Sequence, residues 1–207
     1  MNAQKGLLID VGCADRFVEK MVSANCAYVG IDHYATATSM YSSSPDIFAD
    51  AEKLPIATSS VDTVVLFEVL EHVPDPAKVI SEISRVLRFN GNLLLSVPFL
   101  YPIHDAPYDF HRFTQHALTS QLINSGFAVE QIAPRLKSFE TAALMFNLAV
   151  ADAAQIILKK HKWAALALPV LGLSIVLSNI LGWFLSRLLP GSDFMAGGYN
   201  VVAIQKK

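Results

Sequence analysis

The feature that most constrains this chain is an alternation of short apolar runs with stretches of helical periodicity. The runs are 6–11, 28–32, 46–50, 61–67, 92–97, 128–133 and 199–205. Their nearly continuous apolar character suits strands covered on both faces. Strands that alternate with helices build a parallel sheet, so the expected fold is α/β with a mostly parallel sheet of seven strands. Asp75-Pro76 supplies an N-cap followed by proline at the first helical position. Val79, Ile80, Ile83, Val86 and Leu87 then recur at helical spacing, and Asn90-Gly91 is expected to end that helix and open the next strand. Thr114 is expected to cap a helix that turns Leu118, Leu122 and Ile123 inward and closes at Gly126.

Charge narrows the function classes. Sixteen Lys and Arg against eighteen Asp and Glu give a net charge of −2, without the basic footprint that a nucleic-acid partner leaves. The only cysteines are Cys13 and Cys26, which points to a reducing cytoplasm and not to a disulfide framework. The start of the chain runs into a strand and has no signal-peptide shape. Apolar residues make up 53%, and the excess is concentrated in 139–190. The domain reading is therefore 1–137 plus 191–207 as one cofactor-binding domain, with 138–190 as an apolar helical insert.

In an open α/β sheet, ligands bind beyond the carboxyl ends of the strands, where the strand order reverses. Acidic residues gather at those ends here. The first strand runs through Asp10 into a turn at Gly12, where the missing Cβ lets a ligand approach the backbone. Asp10 is placed to meet a cationic amino group. The second strand ends on Asp32, suited to a pair of ribose hydroxyls. Asp50-Ala51 ends the third, suited to an exocyclic amine, and the fourth runs into Glu68.

These residues resemble the class I methyltransferases, in particular the type 11 group, from Leu7 to about Phe127 and again over the last strand. Leu8-Ile9-Asp10-Val11-Gly12-Cys13 is similar to the family's first motif, and Val29-Gly30-Ile31-Asp32 to its second. Asp50-Ala51-Glu52-Lys53-Leu54-Pro55 with Ser60-Val61-Asp62 resembles the adenine-side motif. Phe67-Glu68-Val69-Leu70-Glu71-His72-Val73 and Arg85-Val86-Leu87-Arg88-Phe89-Asn90-Gly91 resemble two further signatures. The resemblance implies a Rossmann-like fold and S-adenosylmethionine held by Asp10, Gly12, Cys13, Ala14, Asp32, His33, Asp50, Ala51 and Glu68. Ala14 stands where the family carries a second glycine. Family members also place helices before the first strand, where this sequence shows only residues 1–5, so the apolar insert is expected to help close the site.

Methyl transfer from a sulfonium needs alignment, and a hydroxyl acceptor also needs a base. His72 after the fourth strand, and His104, Asp109 and His111 in the loop after the fifth, are the candidates. That loop resembles one bordering the acceptor pocket in methyltransferases of glycan and lipid biosynthesis. Tyr108, Phe110 and Phe113 are read as its core. No metal is expected. The alternative is a divalent ion held by Glu68, Glu71 and His72, as the resemblance to ubiquinone-pathway O-methyltransferases suggests.

Residues 163–185 contain no charged side chain, long enough for a spanning helix. Two spans, 139–158 and 163–189, would leave Lys159-Lys160-His161-Lys162 outside, against the positive-inside bias. On a helical wheel, Glu140, Thr141, Asn147, Asp152, Gln155 and Lys159 fall within an arc of about 140°, opposite Leu144, Phe146, Leu148, Val150 and Ile157. Pro169, Gly172 and Gly182 are expected to break or bend the second stretch. Lys160, Lys162 and Trp163 suit a headgroup-level anchor. The expected arrangement is a helical hairpin in the membrane interface or over the active site, with a homodimer interface or an enlarged core as alternatives. The expected function is O-methylation of a small-molecule, apolar or lipid-linked acceptor at the inner face of a membrane, either a polyprenyl-linked glycan or a quinone-precursor-like phenol. The rivals are a non-catalytic cofactor-binding scaffold and a Rossmann oxidoreductase. The single glycine of the first turn and Asp50 weigh against the latter.

Overall fold

The apolar runs become strands because both of their faces are covered. In β4 (Val61–Phe67), Val61, Val64, Val65 and Leu66 have no exposed surface, and Leu93, Leu95 and Val97 of β5 (Leu87–Pro98) are equally buried. The computed structural model describes residues 6–191 and 193–206, apart from the side chains of 162–164 and 193. Residues 1–5 and the side chains of Lys162 and Trp163 in the expected anchor lie outside the described residues.

The other strands are β1 (Gly6–Val11), β2 (Cys26–Asp32), β3 (Ile47–Phe48), β6 (Phe127–Arg135) and β7 (Gly198–Gln205). They join in one sheet of order β3-β2-β1-β4-β5-β7-β6, with β1 parallel to β2 and β4, β2 parallel to β3, and β4 parallel to β5. The order reverses between β1 and β4, which places the ends of those strands at the ligand-binding crevice of such sheets. The fold is the mostly parallel, seven-stranded Rossmann-like sheet that the pattern implies.

Three local expectations need correction. First, a helix should follow β1, yet the chain makes only a 3-10 turn at Glu19–Met21. Ala14 and Arg16 both adopt positive φ, +44° and +60°, which no α-helix tolerates. After β2 comes a single helical turn, α1 (Tyr34–Thr36), prolonged to Tyr41 in π geometry. Second, α2 (Pro76–Val86) begins as expected, with Asp75 accepting from Lys78 N, but ends before Asn90-Gly91. While β4 advances from Val61 to Thr63, β5 advances from Leu87 to Asn92, so the residues between form a bulge that turns on Asn90 at φ +62°. Third, β3 is shorter than 46–50, and Asp50 instead forms an isolated bridge with Lys53. Helix α3 (Gln115–Asn124) is capped by Thr114 and closes at Gly126, at φ +90°, and buries Leu118 and Leu122, but Ile123, one position on from Leu122, turns outward and is exposed.

The chain divides into two compact units. The first takes the residues up to Pro98, Asp105–Ala133 and the chain from Tyr199; the second takes Phe99–His104 and Pro134–Gly198. In the second, Phe99 N donates to Gly197 O (3.0 Å) and Gly197 N to Arg135 O (2.9 Å). Its bulk is a pair of helices, α4 (Ser138–Lys160) and α5 (Leu168–Leu188). They pair Glu140 with Ser186 and Asn147 with Asn179, so they run antiparallel. Pro169 does not break α5, because it sits in the first turn where no N–H is needed, and Gly182 is buried against Ala143. The polar arc of α4 does not face water along its length. Thr141 is fully buried and Glu140 and Asn147 bond to α5, while Asp152, Gln155 and Lys159 remain exposed.

Candidate functional site

Adjacent strands place Tyr28 of β2 against Asp10 of β1, and the phenol donates to Asp10 Oδ2 at 2.8 Å. Asp10 is 2% exposed. Burial pushes its carboxyl up to about 6, against the opposing pull of that hydrogen bond. Gly12 follows at φ +76°, its N–H donating to Ile31 O at 2.8 Å. A Cβ there would stand 2.3 Å from Val69 Cγ2, so the turn tolerates only glycine against the loop after β4. Cys13 is buried beside it, and burial pushes its thiol up to about 12, which makes it inert.

Ala14 occupies the left-handed region, and its N–H donates to Asp32 Oδ2 at 2.9 Å. Asp32 Oδ1 accepts from His33 N at 2.7 Å. Asp32 thus braces the first turn from the end of β2 while each oxygen keeps a lone pair. Burial raises its pKa, and the two N–H bonds oppose that rise. His33 is exposed and caps α1, its carbonyl accepting from Ala37 N. Asp50 is exposed and accepts from Glu52 N at 2.9 Å, with Ala51 half-buried beside it. Glu68, at φ +54°, accepts from Ser96 Oγ at 2.7 Å. Near these ends Tyr34 meets Phe48 edge-on, both exposed.

Sequence reasoning missed four supports. Besides Tyr28 as the partner of Asp10, Asp46 accepts from Gly30 N at 2.7 Å. Arg16 pairs with Asp46 at 2.9 Å and lies 5.3 Å over the Tyr28 ring. Ser96 fixes Glu68. No sequence signal marks Tyr28, because its approach to Asp10 depends on the register of β1 on β2, in which it faces Leu8 two residues before Asp10.

The 3-10 turn Leu70–His72 supplies the next group. Glu71 has no exposed surface, and among the described residues neither carboxyl oxygen has a hydrogen-bond partner. Burial pushes it up to about 8. Its carbonyl accepts from Phe110 N and His111 N, which ties the turn to the 105–114 loop. His72 Nδ1 lies 2.8 Å from Tyr108 O. A carbonyl only accepts, so Nδ1 carries the proton, and in the neutral ring the basic lone pair belongs to Nε2. That atom lies 3.8 Å from Glu71 Oε1 and 4.0 Å from Asp105 Oδ2.

The remaining candidates are placed differently. Asp109 is bound twice by Arg112, at 2.5 and 2.7 Å, and its side chain is 1% exposed, so it clamps the loop. His111 stands 3.4 Å from Pro74 O with its ring beside Phe110 and Phe113; of the three aromatics expected in the loop's core only Phe113 is buried, while Tyr108 and Phe110 are exposed. His104 belongs to the second unit, where it meets Tyr101 edge-on. Of the metal-capable trio, Glu71 and His72 are neighbours, while Glu68 is turned to Ser96. The first unit therefore gathers a carboxylate for a cation, one for a diol and an imidazole with a directed lone pair.

Comparison with known proteins finds methyltransferases among the chain's relatives and among its fold neighbours. Residues 9–95 match the family model described as "Methyltransferase domain". A Mycobacterium tuberculosis protein named "Probable S-adenosylmethionine-dependent methyltransferase" is 34% identical over 131 residues, covering 58% of this chain and 48% of that one. A ubiquinone biosynthesis O-methyltransferase of Paracidovorax citrulli is 28% identical over 162 residues, 68% of this chain and 67% of its own. The chain spans about half the length of the mycobacterial relatives it matches. The crystal structure of an S-adenosylmethionine-dependent methyltransferase from Mesorhizobium loti superposes with a TM-score of 0.59 at 17% identity or less, here 16%, over 99% of this chain and 93% of that one.

Proposed function

Because the chain belongs to the class I S-adenosylmethionine-dependent methyltransferases, we propose that it transfers a methyl group to a hydroxyl of an apolar or lipid-linked acceptor. The observation that carries this reading is the row of acidic side chains along neighbouring strand ends, followed at once by His72 in a fixed tautomer. When bound, S-adenosylmethionine supplies the methyl on a sulfonium, an electrophile that needs alignment more than activation.

The residues present fit that cofactor. Asp10 is a buried carboxylate for its amino group, Asp32 keeps lone pairs for the ribose hydroxyls, and Gly12 opens the backbone between them. Asp50 stands for the exocyclic amine. On the acceptor side, the hydroxyl proton passes to His72 Nε2 as the oxygen attacks. The Tyr108 carbonyl holds the ring in place, and Asp105 supplies negative charge beside the imidazolium. Two free cysteines and two long apolar helices support a site of action at the cytoplasmic face of a membrane. The chain's relatives include a ubiquinone biosynthesis O-methyltransferase, which favours a phenol over a glycan acceptor.

The test is calorimetric titration with S-adenosylmethionine and S-adenosylhomocysteine, wild type against Asp32→Ala. Micromolar binding that the variant loses is the expected result, and lipid-linked phenols are then screened for turnover. Folded protein that binds neither ligand would overturn the assignment. Binding without turnover on any hydroxyl acceptor would favour the scaffold.

A further inference from the structure

A helical pair in water hides its apolar side chains between the helices and turns its polar ones outward. The second unit does the reverse. Between α4 and α5, Glu140 accepts from Ser186 at 2.9 Å, Asn147 Nδ2 donates to Asn179 at 2.8 Å, and Asn147 Oδ1 accepts from Ser178. At Gly182 a Cβ would stand 2.8 Å from Ala143 Cβ, so small residues bring the two backbones together. Outward, Leu173, Val176, Leu177, Ile180, Leu181 and Phe184 are each at least half exposed. Asn179, already bonded to Asn147, is the one exposed polar side chain described between Leu168 and Phe184.

We propose that this hairpin is inserted in the hydrocarbon of a lipid bilayer, with its polar side chains inside and its apolar ones against lipid. The inference goes beyond a surface-bound methyltransferase and concerns the second unit alone, whatever the first unit catalyses. Polar side chains and small residues between helices, with apolar ones outside, are what helix association in lipid selects. At 23 and 21 residues the helices measure about 34 and 32 Å against a hydrocarbon core of about 30 Å, but the part of α4 ahead of Asp152 is 14 residues, about 21 Å, a shortfall that local thinning of the bilayer absorbs.

The ends agree as well. The exposed polar residues of α4 after its first turn are confined to 152–160, where Asp152, Gln155, Lys159 and Lys160 mark the end that meets headgroups or water; insertion sets these lysines against the positive-inside bias, a statistical preference that the banding of the two helices outweighs. At the other end Arg187 lies 3.8 Å over the Trp183 ring, a cation and an indole at the level where both favour the membrane interface. A second copy of the chain would need an apolar face, but it would require neither this banding nor polar groups turned inward.

The test uses the full chain reconstituted in phosphatidylcholine–phosphatidylglycerol vesicles. The sequence has two tryptophans, so a Trp163→Phe variant leaves Trp183 as the sole indole. The expected result is protein retained after an alkaline carbonate wash, with Trp183 losing more than half its fluorescence when the acyl chains are brominated. A second variant, Leu177→Asp, would leave a water-facing surface undisturbed, but in lipid it should cut the vesicle-bound fraction by about tenfold or more. Release by carbonate, unquenched Trp183, unaltered partitioning of Leu177→Asp, or a monodisperse oligomer without detergent would each overturn the proposal.

Discussion

Glu71 gives the sharpest expectation. Its carboxyl is fully buried, with neither oxygen hydrogen-bonded among the described residues, and burial raises its pKa from an ordinary 4.5 to about 8. Between those values the unfolded chain has released the proton while the native chain keeps it. The native state therefore binds more protons, and stability falls as pH rises. The contribution is complete below pH 4.5 and lost through pH 8. Each pH unit is worth about 1.4 kcal/mol, so the wild type should lose about 3 kcal/mol between pH 6 and pH 8 from this group alone. Asp10 has a raised pKa too, but its window closes near 6 and leaves the upper range to Glu71. Glu71→Gln keeps the shape of the neutral acid and removes the titration. The assay is pulsed thiol labelling of the full chain in detergent, read at Cys13, which is 1% exposed in the first unit, with Cys26 replaced by serine. After correction for the reactivity of the unfolded thiol, the wild-type protection factor should fall by roughly a hundredfold across pH 6 to 8, while that of Glu71→Gln stays nearly level. Parallel profiles would refute the reasoning, because Glu71 would then have a partner that holds its charge.

Replacing Ala14, at φ +44°, with glycine relieves about 1 kcal/mol of left-handed strain, partly offset by the freer unfolded chain, and should stabilise by roughly 0.5 kcal/mol in the same assay. A loss of stability would contradict the strain. If the Asp10 carboxylate meets the cofactor's amino group as proposed, affinity should weaken about tenfold per pH unit below 6, as that carboxylate becomes protonated. Calorimetry from pH 5 to 7.5 checks this, and a flat profile would remove that role from Asp10. His72→Ala should cut turnover by about 10²–10⁴-fold and leave cofactor affinity unchanged, whereas equal losses in both would make His72 a positioning residue.

Much of the first unit could be read from its residues, because a strand buried on both faces advertises itself. Leu8-Ile9 and Val64-Val65-Leu66 are apolar on successive positions, a pattern that an exposed segment would not carry. The acidic strand ends were visible for the same reason, as charges that interrupt such runs. Contacts that depend on register were not visible. Tyr28 reaches Asp10 across a parallel ladder, and Arg16 reaches Tyr28 and Asp46 from a turn with two residues at positive φ. Neither follows from the spacing of letters. The Asn90-Gly91 pair misled because a left-handed turn closes a helix and makes a bulge with the same residues.

The polar arc of α4 carries a different lesson. A helical wheel shows that Glu140, Thr141 and Asn147 share a side, but not what that side meets. In water the polar side faces solvent, and the wheel is read with that assumption built in. In hydrocarbon the preference reverses, because a hydroxyl or amide has no partner outside the protein and finds one only on another helix. Glu140 with Ser186, and Asn147 with Ser178 and Asn179, are such pairings, and Thr141 is buried beside them. Of the residues that looked like the wet face of an interfacial helix, Glu140 and Asn147 join the two helices, while Asp152, Gln155 and Lys159 stay exposed. If the hairpin sits in lipid as proposed, the solvent is the missing term, and it lies outside the sequence pattern.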